Sequence, residues 1–402
     1  MSMNVQPDLE FIKDMKSAGG DTLKKCFQCA TCSVVCPLSG ADNPFPRREM
    51  IFAQWGLKEK LVGDPNVMLC HQCGDCTTYC PRGAKPGDVL GAIRAYAYKY
   101  FGWPKGLANL ASAGKNLPLL VGIPAVIILV MWIISGGITH FPEAEDFARY
   151  GYGHFFGHWD FRLLAKNVFF IDLIILPTVG LALYASYKGV SAMWQKMAEN
   201  AGVGQALYKP SVPQFIKEFL WPSVIEIVQH TRFKKCNANA DRLKGHLPLL
   251  LSFLGLFFVT AYSAFTQDVI GIFIPAMHGP ISMWNPVKIL ANVSAIALIV
   301  GVGILWGNRA RKEAEGTATP TFYDWFLIWM IMGVGVTGLG AELFRLIGVV
   351  SVGYILYYLH LVSVMMLFLY MPYTKFAHLI YRTFAMAFER YRESAYVKSP
   401  LV

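Results

Sequence analysis

The chain has 402 residues, of which 54% are hydrophobic and only 15% charged, with a mean hydropathy of +0.40. A water-soluble domain carries about 45–50% apolar and about 25% charged residues, so this excess of apolar side chains cannot be buried in one water-surrounded core. The formal charge of +10 sits mostly in loop lysines and arginines, which membrane topology explains without a nucleic acid.

Residues 1–116 are polar, with 14 Lys+Arg against 10 Asp+Glu, and hold eight of the nine cysteines. Residues 1–25 contain Asp8, Glu10, Asp14 and Asp21 and no apolar run. No secretory signal is read there, so a cytoplasmic, reducing location is expected, where clustered cysteines are metal ligands rather than disulfides. They form two groups offset by 44 residues: Cys26, Cys29, Cys32, Cys36-Pro37 and Cys70, Cys73, Cys76, Cys80-Pro81. In C-x2-C-x2-C-x3-C-P, three closely spaced cysteines hold three corners of a cubane, and the cysteine before proline ligates the other cluster. The spacing predicts two 4Fe–4S clusters, one on Cys26, Cys29, Cys32 and Cys80, the other on Cys70, Cys73, Cys76 and Cys36. Structural zinc would read as separated C-x2-C pairs. Arg47–Leu61 reads as one amphipathic helix, with Met50, Ile51, Ala53, Gln54 and Leu57 near helical spacing. Pro86–Tyr100 reads as another, opened by Pro86 and capped by Asp88. His71 and Gln72, inside the second motif, either tune its cluster or face solvent.

Six apolar stretches, at roughly 117–137, 168–187, 247–267, 287–306, 322–340 and 349–371, reach the length of about 20 residues that a bilayer needs. The sixth is expected to continue past Pro372, kinked, toward Ile380. With residues 1–116 cytoplasmic, the loops on that side hold seventeen Lys+Arg and those opposite hold four. This positive-inside bias puts both termini in the cytoplasm of a multi-pass protein of the inner membrane.

His360 and His378 are 18 residues apart, five helical turns, so on one continuous helix they share a face about 27 Å apart. That arrangement suits two haems stacked across a membrane, and polar residues in spans are functional candidates. His246, at the cytoplasmic start of the third span, is expected to pair with His378 on a cytoplasm-side haem b, a bis-imidazole centre suited to electron transfer. The outer ligand His360 needs a partner: His158 is preferred, with His154 and His278 as alternatives. His140 and His230 read as bland interfacial side chains. Gly301, Gly303, Gly333, Gly335, Gly338 and Gly340 read as helix-packing positions. Asp172, Asp268, Lys288, Asp324 and Glu342, at span edges, read mainly as solvated ends, with proton relay for a quinone as the alternative, and Cys236 reads as an idle thiol.

TLKKCFQCATCSVVCPLSG, PRREMIFAQWGL and LCHQCGDCTTYCPRGAKPGDVLGAIRAY resemble the family of membrane-embedded C subunits of the quinone-interacting membrane-bound oxidoreductase complexes of sulfate reducers. The front is similar to the cluster-bearing subunit of heterodisulfide reductase. The rear is similar to that enzyme's cytochrome b subunit and to the nitrate reductase gamma subunit. YLHLVSVMMLFLYMPYTKFAHLI resembles the gamma subunit's helix with two haem ligands, placing His360 and His378 at ligand positions, and His246 matches its cytoplasm-side ligand. Ten residues on, where that family has a further ligand, this chain has Leu256. The resemblance implies two cytoplasmic flavin- and iron–sulfur-containing, heterodisulfide-reductase-like partners. It also implies electron flow from menaquinol toward adenylylsulfate reductase in sulfate respiration.

The expected architecture is all-α: a small helical two-cluster ferredoxin-like domain (1–116) fused to a six-span transmembrane cytochrome b helix bundle (117–402). The expected role is electron transfer between menaquinol and soluble subunits through haem b, two haems being expected, and two 4Fe–4S clusters. The rivals are the membrane arm of a heterodisulfide-type or sulfite-reduction complex, and a haem-free membrane anchor.

Overall fold

The structure is a computed structural model that describes residues 6–41, 43–157, 166–203, 208–232, 234, 241–271, 273–274 and 280–398. All regular structure among them is helical, as the sequence predicts. The N-terminal region is built from α1 (Leu9–Met15), α2 (Thr31–Val35), α3 (Arg47–Gln54), α4 (Lys58–Val62), α5 (Pro65–Leu69), α6 (Asp75–Thr78) and α7 (Pro86–Phe101). Phe11, Met15, Phe45, Met50, Val67, Leu90 and Ile93 pack into its core around α7 and are almost wholly buried.

Two local expectations are corrected here. The single helix over 47–61 is two, because Gly56 turns the chain at φ +67° and passes so close to Asp8 that a Cβ would lie 2.9 Å from its backbone nitrogen and oxygen. Glycine alone tolerates both conditions without strain. Asp88 does not cap α7: its Oδ2 accepts from the Thr319 backbone N–H at 2.8 Å, tying α7 to a loop 231 residues away.

The remaining helices are α8 (Lys105–Ala111), α9 (Leu117–Ile134), α10 (Ala144–Tyr150), α11 (Lys166–Ala201), α12 (Val212–Phe215), α13 (Trp221–Gln229), α14 (Arg242–Ala264), α15 (Pro286–Ala314), α16 (Phe322–Leu346), α17 (Val350–Tyr370) and α18 (His378–Lys398). Six helical segments are long and apolar enough to cross a membrane: Gly114–Ile134, Phe169–Ala201, Arg242–Gln267, Pro286–Ala314, Phe322–Leu346 and Val350–Tyr370. They match the six predicted spans. Their outward faces carry exposed Val126, Leu176, Phe257, Val293 and Ile355. Apolar area in water costs about 25 cal/mol per Å², so lipid is the medium in which such a surface is stable. The second span runs well past the predicted residue 187, because its polar continuation buries Met193 and Met197 against Tyr381, Ala385 and Phe388 of α18.

The sixth span does not continue through Pro372. Helix α17 ends at Tyr370, the chain turns, and α18 starts at His378 after one 3-10 turn, Lys375–Ala377. Proline lacks the N–H the helix needs and its ring crowds the preceding turn. The break is held by buried Tyr373, whose hydroxyl donates to the Trp103 carbonyl at 2.6 Å. His360 and His378 therefore lie on separate helices, and the five-turn argument for a shared face does not apply.

Glycines set two crossings. Gly245 on α14 and Gly301 on α15 approach so closely that a Cβ on either would sit 2.9 or 2.8 Å from the other's carbonyl oxygen. This fixes the height of the neighbouring His246. On α16, a Cβ at Gly338 would lie 2.9 Å from the His360 ring carbon Cε1. That glycine makes room for an imidazole as well as for a helix.

Candidate redox site

The 44-residue repeat is also a repeat of backbone shape. Gln28 and Ala30 in the first cysteine loop have φ of +60° and +71°, and Gln72 and Gly74 in the second have +53° and +95°; α2 and α6 follow at the same offset. Successive left-handed turns aim backbone N–H groups inward and form the anion-binding concavities common at iron–sulfur sites. Gln28 Nε2 lies 3.5 Å from Cys26 Sγ, and the Gln72 N–H donates to Cys70 Sγ at 3.4 Å.

The sulfurs lie in two neighbouring groups. Cys26, Cys29, Cys32 and Cys80 line one small hollow with Pro81. Burial, then the nearby Cys26, Cys29 and Cys80, pushes the Cys32 thiol up to about 11. Burial pushes Cys36 up to about 12, with Cys70 and Cys73 as its main cysteine neighbours. Cys76 is raised by burial and then by Cys70, Cys73 and Cys36. Among the described residues no three His, Cys, Asp or Glu donors converge on a single ion. A four-iron cubane spreads its thiolates over a wider body than one ion does.

The two loops differ in surroundings. Cys29 is exposed, whereas Cys70 and Cys76 are buried. Four cations from four helices crowd the second loop. Arg94 donates to the Cys70 carbonyl and, at 3.0 Å, to Gln72 Oε1; Arg242 reaches the His71 carbonyl at 2.8 Å and Lys312 the Cys73 carbonyl at 3.4 Å. Arg382 lies 2.8 Å from His71 Nε2. His71 is buried, not solvent-facing; burial, and then the Arg382, Arg242 and Arg94 charges, hold it neutral with its pKa down to about 2.

Beside this loop lies a cavity of about 290 Å³, lined by Cys70, His71, His246, His378, Leu249, Phe253 and Ile331 among others. The His246 and His378 rings stand 6.3 Å apart, centre to centre, at 70°. Two imidazoles sharing one metal through bonds of about 2 Å have ring centres about 6 Å apart. Their tautomers can be read from their partners. His378 Nδ1 is 2.5 Å from the Lys375 carbonyl, which only accepts, so Nδ1 carries the proton and Nε2 the lone pair. At His360, Nδ1 lies 3.2 Å from the Val334 carbonyl and the same assignment follows.

Sequence reasoning missed two groups. His230, read as bland, is buried on the cavity wall with Nε2 2.8 Å from His246 Nδ1. Asp324, read with the solvated ends, is buried between Lys375 and Arg309, with Arg309 Nη2 at 2.9 Å and the Thr321 hydroxyl donating at 2.9 Å. Lysines and arginines in the flanking loops were the available signal for Asp324; no local signal marked His230. Lys288 and Glu342 pair at 2.6 Å. His140 is exposed, its Nδ1 3.1 Å from Thr139 Oγ1. His154 packs edge-on against Tyr150, and no described ring contact brings it to His360. His158, His278, Cys236 and the Asp268 side chain lie outside the described residues.

Residues 22–84 match the 4Fe-4S dicluster domain family. Over 93 residues the chain is 43% identical to the C subunit of the H(2):CoB-CoM heterodisulfide,ferredoxin reductase of Methanothermobacter marburgensis and, equally, to that of Methanothermobacter thermautotrophicus. That stretch is 23% of this chain and 50% of each relative, so the chain spans about half the length of these relatives. Over 293 residues, 72% of the chain and 70% of the relative, it is 25% identical to Citrate utilization protein B of Escherichia coli. No solved structure matches the chain significantly. The chain thus joins a 4Fe–4S dicluster domain, related to the heterodisulfide reductase C subunit, to six helices able to span a membrane.

Proposed function

We propose that the chain is the membrane electron-transfer subunit of a quinone oxidoreductase complex. Its cluster domain ends near residue 116, and both termini face the cytoplasm. The observation that carries this reading is the His246–His378 pair, 6.3 Å between ring centres, on the wall of a cavity that Cys70 and His71 also line. His246 and His378 would hold a haem b. Bound there, haem supplies one-electron exchange without an open position for oxygen chemistry. Leu249, Phe253 and Ile331 would keep water from it, and Arg94, Arg242 and Arg382 would offset negative charge on the bound groups. The crossed sets Cys26, Cys29, Cys32, Cys80 and Cys70, Cys73, Cys76, Cys36 hold the two clusters. The grouping of the sulfurs around Cys32, Cys36 and Cys76 supports that assignment.

His360 would hold a second, outer haem, with His158 as the proposed partner. Menaquinol and two soluble flavin- and iron–sulfur-containing subunits exchange electrons through this chain. The direction proposed is toward adenylylsulfate reductase, in the inner membrane of a sulfate-respiring cell.

The test is a haem and iron count on purified chain, with reduction by a menaquinol analogue followed optically. Two quinol-reducible b haems and about eight non-haem irons per chain are expected. A chain with clusters but no haem would be a membrane anchor and would sink the proposal.

A further inference from the structure

We infer that His230 is a positioning residue for His246, fixing which nitrogen of that ring carries the proton and so which one meets the metal. This rests on the reading of His246 and His378 as a haem pair.

The argument is one of donors and acceptors. His230 Nδ1 stands 3.1 Å from the Val228 carbonyl. A carbonyl accepts only, so Nδ1 carries the proton of the neutral ring and Nε2 holds its lone pair. That Nε2 is 2.8 Å from His246 Nδ1, which must then be the donor. The lone pair of His246 is thereby assigned to Nε2, the same nitrogen that the Lys375 carbonyl assigns in His378. Both rings of the pair present like nitrogens, one through a carbonyl and one through a second imidazole. Outer partners of this kind fix ring orientation and raise ligand basicity.

The backbone agrees. His230 ends α13 in the left-handed region, φ +53° and ψ +31°. Glycine is the usual residue there, and a side chain in that region is strained. Helix α13 is also strapped to α18, the helix that His378 opens: Glu226 takes Arg390 and Arg232, each at 2.6 Å, and Arg232 reaches Glu389 at 2.7 Å. One frame therefore orients both imidazoles.

The test uses full-length purified chain and compares His230→Leu with His230→Gln, whose amide oxygen can accept the same bond. Haem midpoint potential by optical redox titration and the low-temperature EPR spectrum of the ferric low-spin haem are the readouts. Losing the acceptor weakens ferric relative to ferrous binding. A tenfold loss, the lower end for such partners, raises the midpoint by about 59 mV for one electron. His230→Gln is expected to restore most of that shift. His230→Asn, too short to reach, replaces the leucine variant if the latter does not accumulate. An unchanged potential and EPR spectrum in the leucine or asparagine variant would overturn the inference alone. A haem content per chain left undiminished in both His246→Ala and His378→Ala would overturn the haem reading, and the inference with it.

Discussion

Replacing Asp324 by Asn removes the one carboxylate that lies directly between Lys375 and Arg309. All three side chains are mostly buried, at 7%, 22% and 14% exposure, and Arg309 Nη2 lies 2.9 Å from Asp324 Oδ2. Arg309 keeps Glu313 at 2.6 Å, so the group left uncompensated is the Lys375 ammonium, whose pKa burial already holds down to about 8. Removing one partner of such a buried group costs about 3–5 kcal/mol, or about two to three and a half powers of ten in the unfolding equilibrium. The damage should reach the cavity, because the Lys375 carbonyl accepts from His378 Nδ1. The assay is SDS-induced unfolding of the purified chain in detergent, followed by tryptophan fluorescence, with the haem absorption recorded alongside. Asp324→Asn should unfold at clearly lower SDS, and Asp324→Asn with Lys375→Met should recover part of the loss because it removes both charges. An Asp324→Asn variant within about 0.5 kcal/mol of wild type, or a double variant no better than the single one, would refute this account.

Cys36→Ser and Cys76→Ser should each diminish the same cluster's EPR signal, and Cys80→Ser that of the other; if Cys36→Ser instead matched Cys32→Ser, the crossed pairing would be wrong. Gly338→Val must displace the His360 ring, which a Cβ would approach to 2.9 Å, so it should lose the outer haem's absorption while keeping that of the His246–His378 haem. Glu49 is wholly buried, and burial followed by the neighbouring Asp64 carboxylate raises its pKa far above the usual carboxylate range. The folded chain therefore binds a proton that the unfolded chain has released above about pH 4.3. Stability from this group is full at acid pH and declines as pH rises through neutrality. Glu49→Gln should flatten that slope in unfolding titrations from pH 5 to 8; an unaltered slope would show that Glu49 is not its source.

What the sequence determined by itself is what spacing and period encode within a few turns of chain. The C-x2-C-x2-C-x3-C-P repeat carries its loop geometry locally, so Gln28 and Ala30 reappear as Gln72 and Gly74 in the same left-handed turns. Each span needs only a long enough apolar run, because the bilayer demands that a segment satisfy its own backbone hydrogen bonds. His246 and His378 could be singled out because a histidine in an apolar run is costly and stands out. Tertiary structure alone decided the rest, through contacts between residues remote in sequence. The turn after Tyr370 is held by Tyr373 on Trp103, 270 residues away. Asp88 serves Thr319 rather than its own helix. Asp324 is buried because Lys375 and Arg309 reach it from other elements. His230 meets His246 only through the tertiary fold, which sets the two rings together. A lone polar residue in a loop has no period to betray it, and its meaning is fixed by what the fold brings within 3 Å.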